Sequence, residues 1–199
     1  MIAKGAGIPL AVLTLPSLLF VCLNFLTGYT LFFYLFLLFL ALPIFSLYFF
    51  RNPKRRITGG IVCPADGRVA VVKDHSFDIF MGVTNVHVNR SPVSGKVISQ
   101  THHPGTHRPA YHDDIEGNER METEVECLHG TVRITQLAGI IARRIVPYVS
   151  PGDEVKAGQP IGMIRFGSRV RVELPESAVV QISVGDVVRA GETKVGEWR

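Results

Sequence analysis

The chain has 199 residues, and its charges are distributed very unevenly. Of its 21 Lys and Arg and 17 Asp and Glu residues, only Lys4 lies in the first fifty positions, and residues 5–50 carry no formal charge. This division excludes an ordinary soluble single domain, a disordered chain and a collagen-like chain. It predicts a membrane-anchoring segment, residues 1–50, followed by one polar domain, residues 51–199.

The uncharged segment is long enough for two membrane-spanning helices, since roughly 20 apolar residues cross a bilayer core. The turn-forming residues 27–30 (Thr-Gly-Tyr-Thr) interrupt it near its middle. We therefore predict helices over residues 9–26 and 31–50, which together form a hydrophobic hairpin. A hairpin that inserts without crossing fits the same hydropathy.

Positive charges flank this hairpin and predict its orientation. Lys4 precedes it, and four basic residues lie within residues 51–56. By the positive-inside rule, both ends face the cytoplasm, so the polar domain is expected on the cytoplasmic side of the cell membrane. The basic cluster 51–56 suits anionic lipid headgroups, and the sequence has no motif of a nucleic-acid-binding protein.

Neither the cysteines nor the histidines form a metal-binding pattern. Cys22, Cys63 and Cys127 are far apart and show no CxxC spacing, so neither a disulfide framework nor a thiolate metal site is expected. Four of the seven histidines lie in residues 102–112. Their irregular spacing favours a loop, and no metal site is expected there.

The polar domain is predicted to be mainly β, a compact barrel or sandwich. Short runs rich in β-branched residues alternate with Gly, Pro, Asp and Asn, and the sequence at residues 66–67 and 129–130 is typical of hairpin turns. One short helix is compatible with residues 139–146. The predicted strands are residues 61–62, 68–72, 83–88, 96–99, 123–128 and 131–136.

A ten-residue pattern occurs twice, at residues 149–158 and 182–191, each copy with Gly-Asp and a closing Ala-Gly. This repetition resembles the hairpins of biotinyl and lipoyl domains. Those carriers present a modified lysine at a hairpin tip, and Lys156 is not in that setting. The repeat therefore indicates a barrel-sandwich architecture and not a carrier function.

A serine begins the most regular strand pattern of the chain. From Ser168 to Leu174, small or apolar residues alternate with Arg169, Arg171 and Glu173, so Ser168 lies on the face expected to be buried. A Gly-Ser pair at such a point is typical of a bulge or bend. It also permits attack of the Ser168 hydroxyl on the Gly167 carbonyl, chain cleavage and formation of a pyruvoyl group.

Several phrases, in this order, make the chain resemble the phosphatidylserine decarboxylase family, in its short membrane-anchored form. They are Tyr48-Phe-Phe-Arg-Asn-Pro53, Pro64-Ala-Asp-Gly67, Val86-His-Val-Asn-Arg-Ser-Pro92, Asn118-Glu-Arg120, Ala138-Gly139, Ala142-Arg-Arg144 and Ile164-Arg-Phe-Gly-Ser-Arg169.

The resemblance implies a proenzyme that cleaves itself between Gly167 and Ser168. Its fragments, residues 1–167 and 168–199, would stay associated, and Ser168 would become a covalent pyruvoyl group. Through a Schiff base with that group, phosphatidylserine would be converted to phosphatidylethanolamine and carbon dioxide. Exposed strand edges are compatible with a homodimer.

The resemblance also implies roles for individual residues. His87 is the candidate proton donor, because at a strand period of 2 it shares a polar face with Asn85 and Asn89, although a histidine on a surface strand gives the same pattern. Asp66 matches the aspartate of the family's self-processing Asp-His-Ser triad, although Asp-Gly is also a favoured hairpin turn. The phospholipid is expected to contact Asn89 and the three arginines Arg90, Arg143 and Arg144, although a solvated or salt-bridged pair also explains Arg143 and Arg144.

Arg90 occupies the position at which longer members of the family have the triad histidine. Arginine is not an ordinary base, because its pKa lies above about 12. Three interpretations remain: His87 serves both steps, Asp66 and water replace the missing histidine, or Arg90 polarises the carbonyl of Gly167.

Two other function classes remain at this point. A non-enzymatic, membrane-anchored barrel-sandwich binding module would explain the repeat without any cleavage. A membrane serine hydrolase that uses Ser168, His87 and Asp66 is a weaker hypothesis, because the sequence has no G-x-S-x-G elbow.

Overall fold

The computed structural model describes residues 1–106, 117–139, 144–165 and 168–199. The chain forms two compact units, Met1–Pro53 and Lys54–Arg199.

The first unit is a pair of apolar helices, α1 (Gly7–Thr27, 21 residues) and α2 (Thr30–Phe49, 20 residues). At about 1.5 Å per residue, each is about 30 Å long, which is enough to cross a bilayer core. Gly28 ends α1 in the left-handed conformation (φ 70°), and its N–H donates to the Asn24 carbonyl at 2.9 Å. The rings of Phe20 and Phe39 pack between the helices at 5.1 Å. The predicted helical hairpin is therefore confirmed.

The second unit contains fourteen short strands within the described residues. They are β1 (Ile61–Val62), β2 (Gly67–Lys73), β3 (Ser76–Met81), β4 (Val88–Arg90), β5 (Gly95–His103), β6 (Arg120–Cys127), β7 (Gly130–Ala138), β8 (Ile145–Pro147), β9 (Glu154–Val155), β10 (Pro160–Ile164), β11 (Ser168–Glu173), β12 (Ala178–Val180), β13 (Val187–Val188) and β14 (Lys194–Trp198).

These strands form three sheets, which confirms the prediction of a mainly β domain. The largest has eight strands in the order β13-β2-β3-β11-β7-β6-β5-β9, and the smaller ones have the orders β1-β14-β12 and β4-β10-β8. Alternate residues of the central strands are buried in one hydrophobic core, among them Phe77 and Ile79 of β3, Ile134 of β7 and Val170 of β11.

The two sequence repeats occupy opposite ends of the large sheet. β9, in the first repeat, pairs with β5, and β13, in the second, pairs with β2. Each repeat begins with the same turn, in which an Asp carboxylate accepts a backbone N–H: Asp153 from Ser150 at 2.9 Å and Asp186 from Ser183 at 2.8 Å. The two repeats are therefore similar in structure as well as in sequence.

The closing glycines of the repeats meet around one side chain. Gly158 and Gly191 have φ values of 77° and 75°, in the left-handed region that favours glycine. A Cβ atom at either position would overlap the Ile57 side chain. The glycines that close both repeats are therefore favoured by their backbone conformation and by close packing against Ile57.

Two local predictions are corrected by the structure, and a third falls partly outside the described residues. Residues 82–85 form a turn, so the strand predicted over 83–88 begins only at Val88. Asp66-Gly67 does not form a hairpin turn, because β1 pairs with β14 and β2 pairs with β3. Of the helix predicted over 139–146, residues 140–143 lie outside the described residues and Ile145 begins β8.

The turn at residues 129–130 is confirmed, because β6 and β7 form a hairpin there.

Gly95→Ala should destabilise the polar domain, because a Cβ at Gly95 would overlap the Glu126 carbonyl of the neighbouring strand. We expect a loss of about 2–3 kcal/mol in the free energy of unfolding, as for other overpacked sites. The measurement is urea unfolding of the full chain in detergent, followed by fluorescence of the single tryptophan, Trp198. Gly59→Ala is the control, because no atom lies within 4 Å of a Cβ there. Equal unfolding midpoints for the two variants would contradict this packing argument.

Candidate functional site

Ser168 is the first residue of β11 and is fully buried. It lies opposite Met81 of β3 and Ala138 of β7, in the middle of the large sheet. Its Oγ has no hydrogen-bond partner among the described residues. Leaving a buried hydroxyl unsatisfied costs about 1–3 kcal/mol, so such a group in a folded protein calls for a functional explanation.

The alternation predicted for β11 is present in the structure. Val170 and Val172 lie in the core on the same face as Ser168, whereas Arg169 and Arg171 both contact Asp78. Gly167, the other residue of the predicted cleavage site, lies outside the described residues. The serine hydroxyl is thus on the inner face of the sheet, away from bulk water.

His87 is a buried histidine that immediately precedes β4. Its Nδ1 lies 2.9 Å from the Asn85 carbonyl oxygen. Because a carbonyl can only accept, Nδ1 carries a proton, and Nε2 is the ring atom that gains or loses one. The carbonyl of His87 accepts the N–H of Ile164 at 3.2 Å. Ile164 ends β10, so His87 is fixed to the strand that leads to residues 167–168.

A buried polar chain extends along the same inner face. Gln136 of β7 donates from Nε2 to Asn89 Oδ1 at 2.7 Å, and Asn89 Nδ2 lies 3.4 Å from the sulfur of Met81. Met81 is the cross-strand partner of Ser168. Sequence reasoning identified Asn89 but missed Met81 and Gln136. Gln136 was detectable in principle, because it is a polar residue at an inward position of β7.

Asp66 is buried, but its contacts differ from those of a Ser-His-Asp triad. Arg55 binds both carboxylate oxygens through Nη2, at 2.7 and 2.9 Å, and the backbone N–H of Ala190 donates to Oδ1 at 2.8 Å. Within the described part of the chain, Asp66 has no hydrogen bond to His87 or Ser168. Arg55, which the sequence placed in the lipid-facing cluster, is directed into the domain and also pairs with Glu192 at 3.2 Å.

Arg90 belongs to the same group of buried charges. Its Nη1 donates to the Gly158 carbonyl at 2.8 Å. Burial lowers the pKa of the Arg90 guanidinium, and the charge of Arg55 lowers it further, while Asp66 and Glu192 act in the opposite direction. Arg55, Asp66, Arg90 and Glu192, the charge cluster, therefore interact electrostatically as one unit.

The repeat provides an internal comparison for Asp66. Asp66 accepts the N–H of Ala190 in the closing turn of the second repeat, and Ser94 Oγ accepts the N–H of Ala157 at 2.9 Å in the closing turn of the first. The hydrogen bond to the closing Ala-Gly turn is therefore a feature of the architecture. The negative charge and the pairing with Arg55 are specific to Asp66.

Cys63 lies close to Asp66 but is not a candidate nucleophile. Its thiol donates to the Ala65 carbonyl at 3.0 Å. Burial, opposed by that hydrogen bond and assisted by the charge of Asp66, raises the pKa of the thiol to about 12. A thiol reacts through its thiolate, so Cys63 is inert at neutral pH.

Of the two arginines expected to bind the substrate phosphate, Arg143 lies outside the described residues and Arg144 is exposed. The Arg144 carbonyl accepts the N–H of Arg165 at 3.4 Å. Burial, followed by the charge of Arg144, lowers the pKa of Arg165. Arg165, which sequence reasoning missed, thus places a second guanidinium near Arg144, three residues before Ser168.

Asp66→Asn should destabilise the domain much more than Ser94→Ala. The first change leaves two buried arginines with one carboxylate fewer, which costs about 3–5 kcal/mol for a broken buried pair. The second removes one neutral hydrogen bond, worth about 1 kcal/mol. Urea unfolding of both variants measures the difference. Similar losses for the two would show that the charge cluster adds nothing beyond the shared hydrogen bond.

The sequence matches that of a known protein family over most of its length. The model of the family described as phosphatidylserine decarboxylase matches residues 42–196. A protein of Methanococcoides burtonii, provisionally named an archaetidylserine decarboxylase proenzyme, is 47% identical over 175 residues, which cover 86% of this chain and 84% of that protein.

Two further relatives carry similar names. A protein of Archaeoglobus fulgidus, with the same provisional name, is 48% identical over 78% of this chain and 80% of its own length. A phosphatidylserine decarboxylase proenzyme of Streptomyces griseus is 45% identical over 78% of this chain and 75% of its own length. The chain therefore belongs to the phosphatidylserine decarboxylase family.

Proposed function

We propose that this chain is a membrane-anchored proenzyme that cleaves itself at Gly167–Ser168 and then decarboxylates phosphatidylserine or archaetidylserine. The observation that carries the proposal is the fully buried Ser168 hydroxyl, which has no hydrogen-bond partner within the described residues. Family membership supports the decarboxylase activity. It does not favour the alternative of a non-enzymatic binding module.

Self-cleavage uses atoms of the chain and one water. Ser168 Oγ attacks the carbonyl carbon of Gly167, and the C–N bond breaks as the ester forms. Removal of the Ser168 α-proton then breaks the Cβ–Oγ bond, which releases Gly167 as a carboxylate and leaves dehydroalanine. Water converts dehydroalanine to the pyruvoyl group and ammonia. The buried hydroxyl of Ser168 fits this origin, because no described side chain holds it in another role.

We assign His87 Nε2 as the base in cleavage and as the proton donor in decarboxylation. Asp66 is less suited as the base, because Arg55 neutralises it. Arg90 is less suited to polarise the Gly167 carbonyl, because its Nη1 already donates to the Gly158 carbonyl. His87 is tied through Ile164 to the strand that precedes the cleavage site. A pyruvoyl group formed from Ser168 would supply a ketone, which is an electron sink for decarboxylation. His87 then delivers a proton to the carbon that lost the carboxylate.

The other polar residues are proposed to hold the substrate. Asn89 Nδ2 faces the Met81 sulfur, which is a weak acceptor, so a substrate carboxylate would be a better partner for this amide. Arg143, Arg144 and Arg165 would bind the phosphate, for which guanidinium groups are suited. The charge cluster, which includes Asp66 and Arg90, would keep the segments next to the site rigid.

The helical hairpin is proposed to anchor the enzyme in the cell membrane with its polar domain on the cytoplasmic side, as the flanking charges indicate. A lipid substrate stays in the bilayer, so an enzyme held at the membrane surface meets it directly. The fragments would remain together, because β11 of the small fragment pairs with β3 and β7 of the large one.

Ser168→Ala should remain one uncut chain of 22.0 kDa without decarboxylase activity. The wild type should give two chains, residues 1–167 and 168–199, because only its serine can form the ester. Intact-mass analysis measures the cut, and borohydride reduction in the presence of an amine detects the ketone at position 168. Ser177→Ala, which removes a half-buried hydroxyl in the same fragment that donates to the His129 carbonyl, is the control and should be cut normally. A wild type that stays uncut would contradict the proposed function.

His87→Ala should slow both self-cleavage and turnover. Loss of a general acid-base group lowers the rate by about 10²–10⁴-fold, and we expect this range for kcat per ketone-bearing chain. Release of carbon dioxide from phosphatidylserine in mixed micelles provides the assay. His102→Gln is the matched control, since His102 is exposed and pairs with Glu119 at 3.0 Å. The assignment of His87 would be refuted if both variants were cut and turned over alike.

A further inference from the structure

The residue after Ser168 is held on the opposite face of the sheet by a buried ion pair. Arg169 is 5% exposed, and its Nη1 lies 3.4 Å from Oδ2 of Asp78 on β3. Arg171 donates to the same carboxylate from Nε at 2.9 Å and from Nη2 at 3.2 Å. One buried carboxylate thus connects two arginines of β11 to the neighbouring strand.

This connection is specific for one register of the two strands. Arg171 lies directly opposite Asp78, and Ser168 lies directly opposite Met81. A slip of one residue would turn Ser168 to the outer face and separate both arginines from Asp78. Because buried charges without partners are strongly unfavourable, the ion pairs oppose such a slip.

Self-cleavage would change what holds residue 168 in place. In the uncut chain, covalent bonds on both sides restrain it. After the cut it becomes a chain end, and chain ends fray unless they are tied down. No hydrogen bond from a described side chain reaches the Ser168 hydroxyl on the inner face. Among the described contacts, residues 168 and 169 keep the backbone pairing with β3 and β7 and the ion pair of Arg169 with Asp78.

We propose that Arg169, held by Asp78, is a positioning residue that keeps the new chain end and its pyruvoyl group on the inner face after self-cleavage. This inference rests on the proposed function. Arg169 points away from the inner face and acts through the position of residue 168. The ion pair is therefore needed for decarboxylation more than for cleavage.

Arg169→Met tests the proposal, because Asp78 keeps its two hydrogen bonds to Arg171 and no carboxylate is left buried without a partner. We expect self-cleavage at the wild-type rate. In the cut enzyme, kcat for phosphatidylserine in mixed micelles should fall at least about tenfold with KM unchanged, because a small displacement of a reacting group lowers rate more than binding. Glu173→Gln, on the same strand as Arg169, removes a more exposed ion pair with Arg133 of β7 and should leave kcat unchanged.

Two further measurements separate positioning from general destabilisation. Arg169→Lys should recover part of the lost kcat. Amide hydrogen exchange at residues 169–171 should increase in cut Arg169→Met but not when the same change is made in uncut Ser168→Ala. A cut Arg169→Met enzyme with the kcat of Glu173→Gln would overturn the inference, and so would equal losses in cleavage and turnover. A wild type that is never cut would instead overturn the proposed function and, with it, this inference.

Discussion

The pairing of β11 between β3 and β7 is the constraint on which the rest of the site depends. It places Ser168 opposite Met81 and Ala138, on the inner face of the large sheet. Because side chains alternate along a strand, a slip of one residue would turn the serine to the outer face and turn Arg169, away from Asp78, into the hydrophobic core. The polar chain from Gln136 through Asn89 to Met81 then lies on the same face as the hydroxyl. One strand register thus gathers residues that are up to 87 positions apart.

Features encoded locally could be predicted from the sequence. The two helices, the alternation after Ser168 and the hairpin at residues 129–130 each depend on a few adjacent residues. The pairing of β1 with β14 and the contact of Arg55 with Asp66 were missed, because they depend on chain segments brought together by folding. His87 was chosen for the polar face of a predicted strand. It is buried instead in the connection before β4, fixed by the carbonyl of Asn85.

The two repeats have similar structures, but the side chains that contact them differ in chemistry. In each repeat, a polar side chain from elsewhere in the domain accepts the alanine N–H of the closing Ala-Gly turn. This side chain is Ser94 for the first repeat and Asp66 for the second. Only Asp66 is charged, and it has Arg55 as its partner. The turn needs only a hydrogen-bond acceptor, which Ser94 also provides, so the charge cluster is an additional feature beside the second repeat alone. A function specific to this domain is more reasonably sought in that asymmetry than in the repeat itself.

The position of the proposed cut also determines the order of events. A fragment of residues 168–199 contains β11 to β14 but lacks β3 and β7, and without them β11 has neither of its neighbours. An isolated strand cannot bury Val170 and Val172 or pair its backbone groups. The fragment therefore has no independent route to its place in the middle of the sheet. On the proposed mechanism, the uncut chain would therefore fold first, and cleavage would follow in the folded domain, where β11 is already paired with β3 and β7.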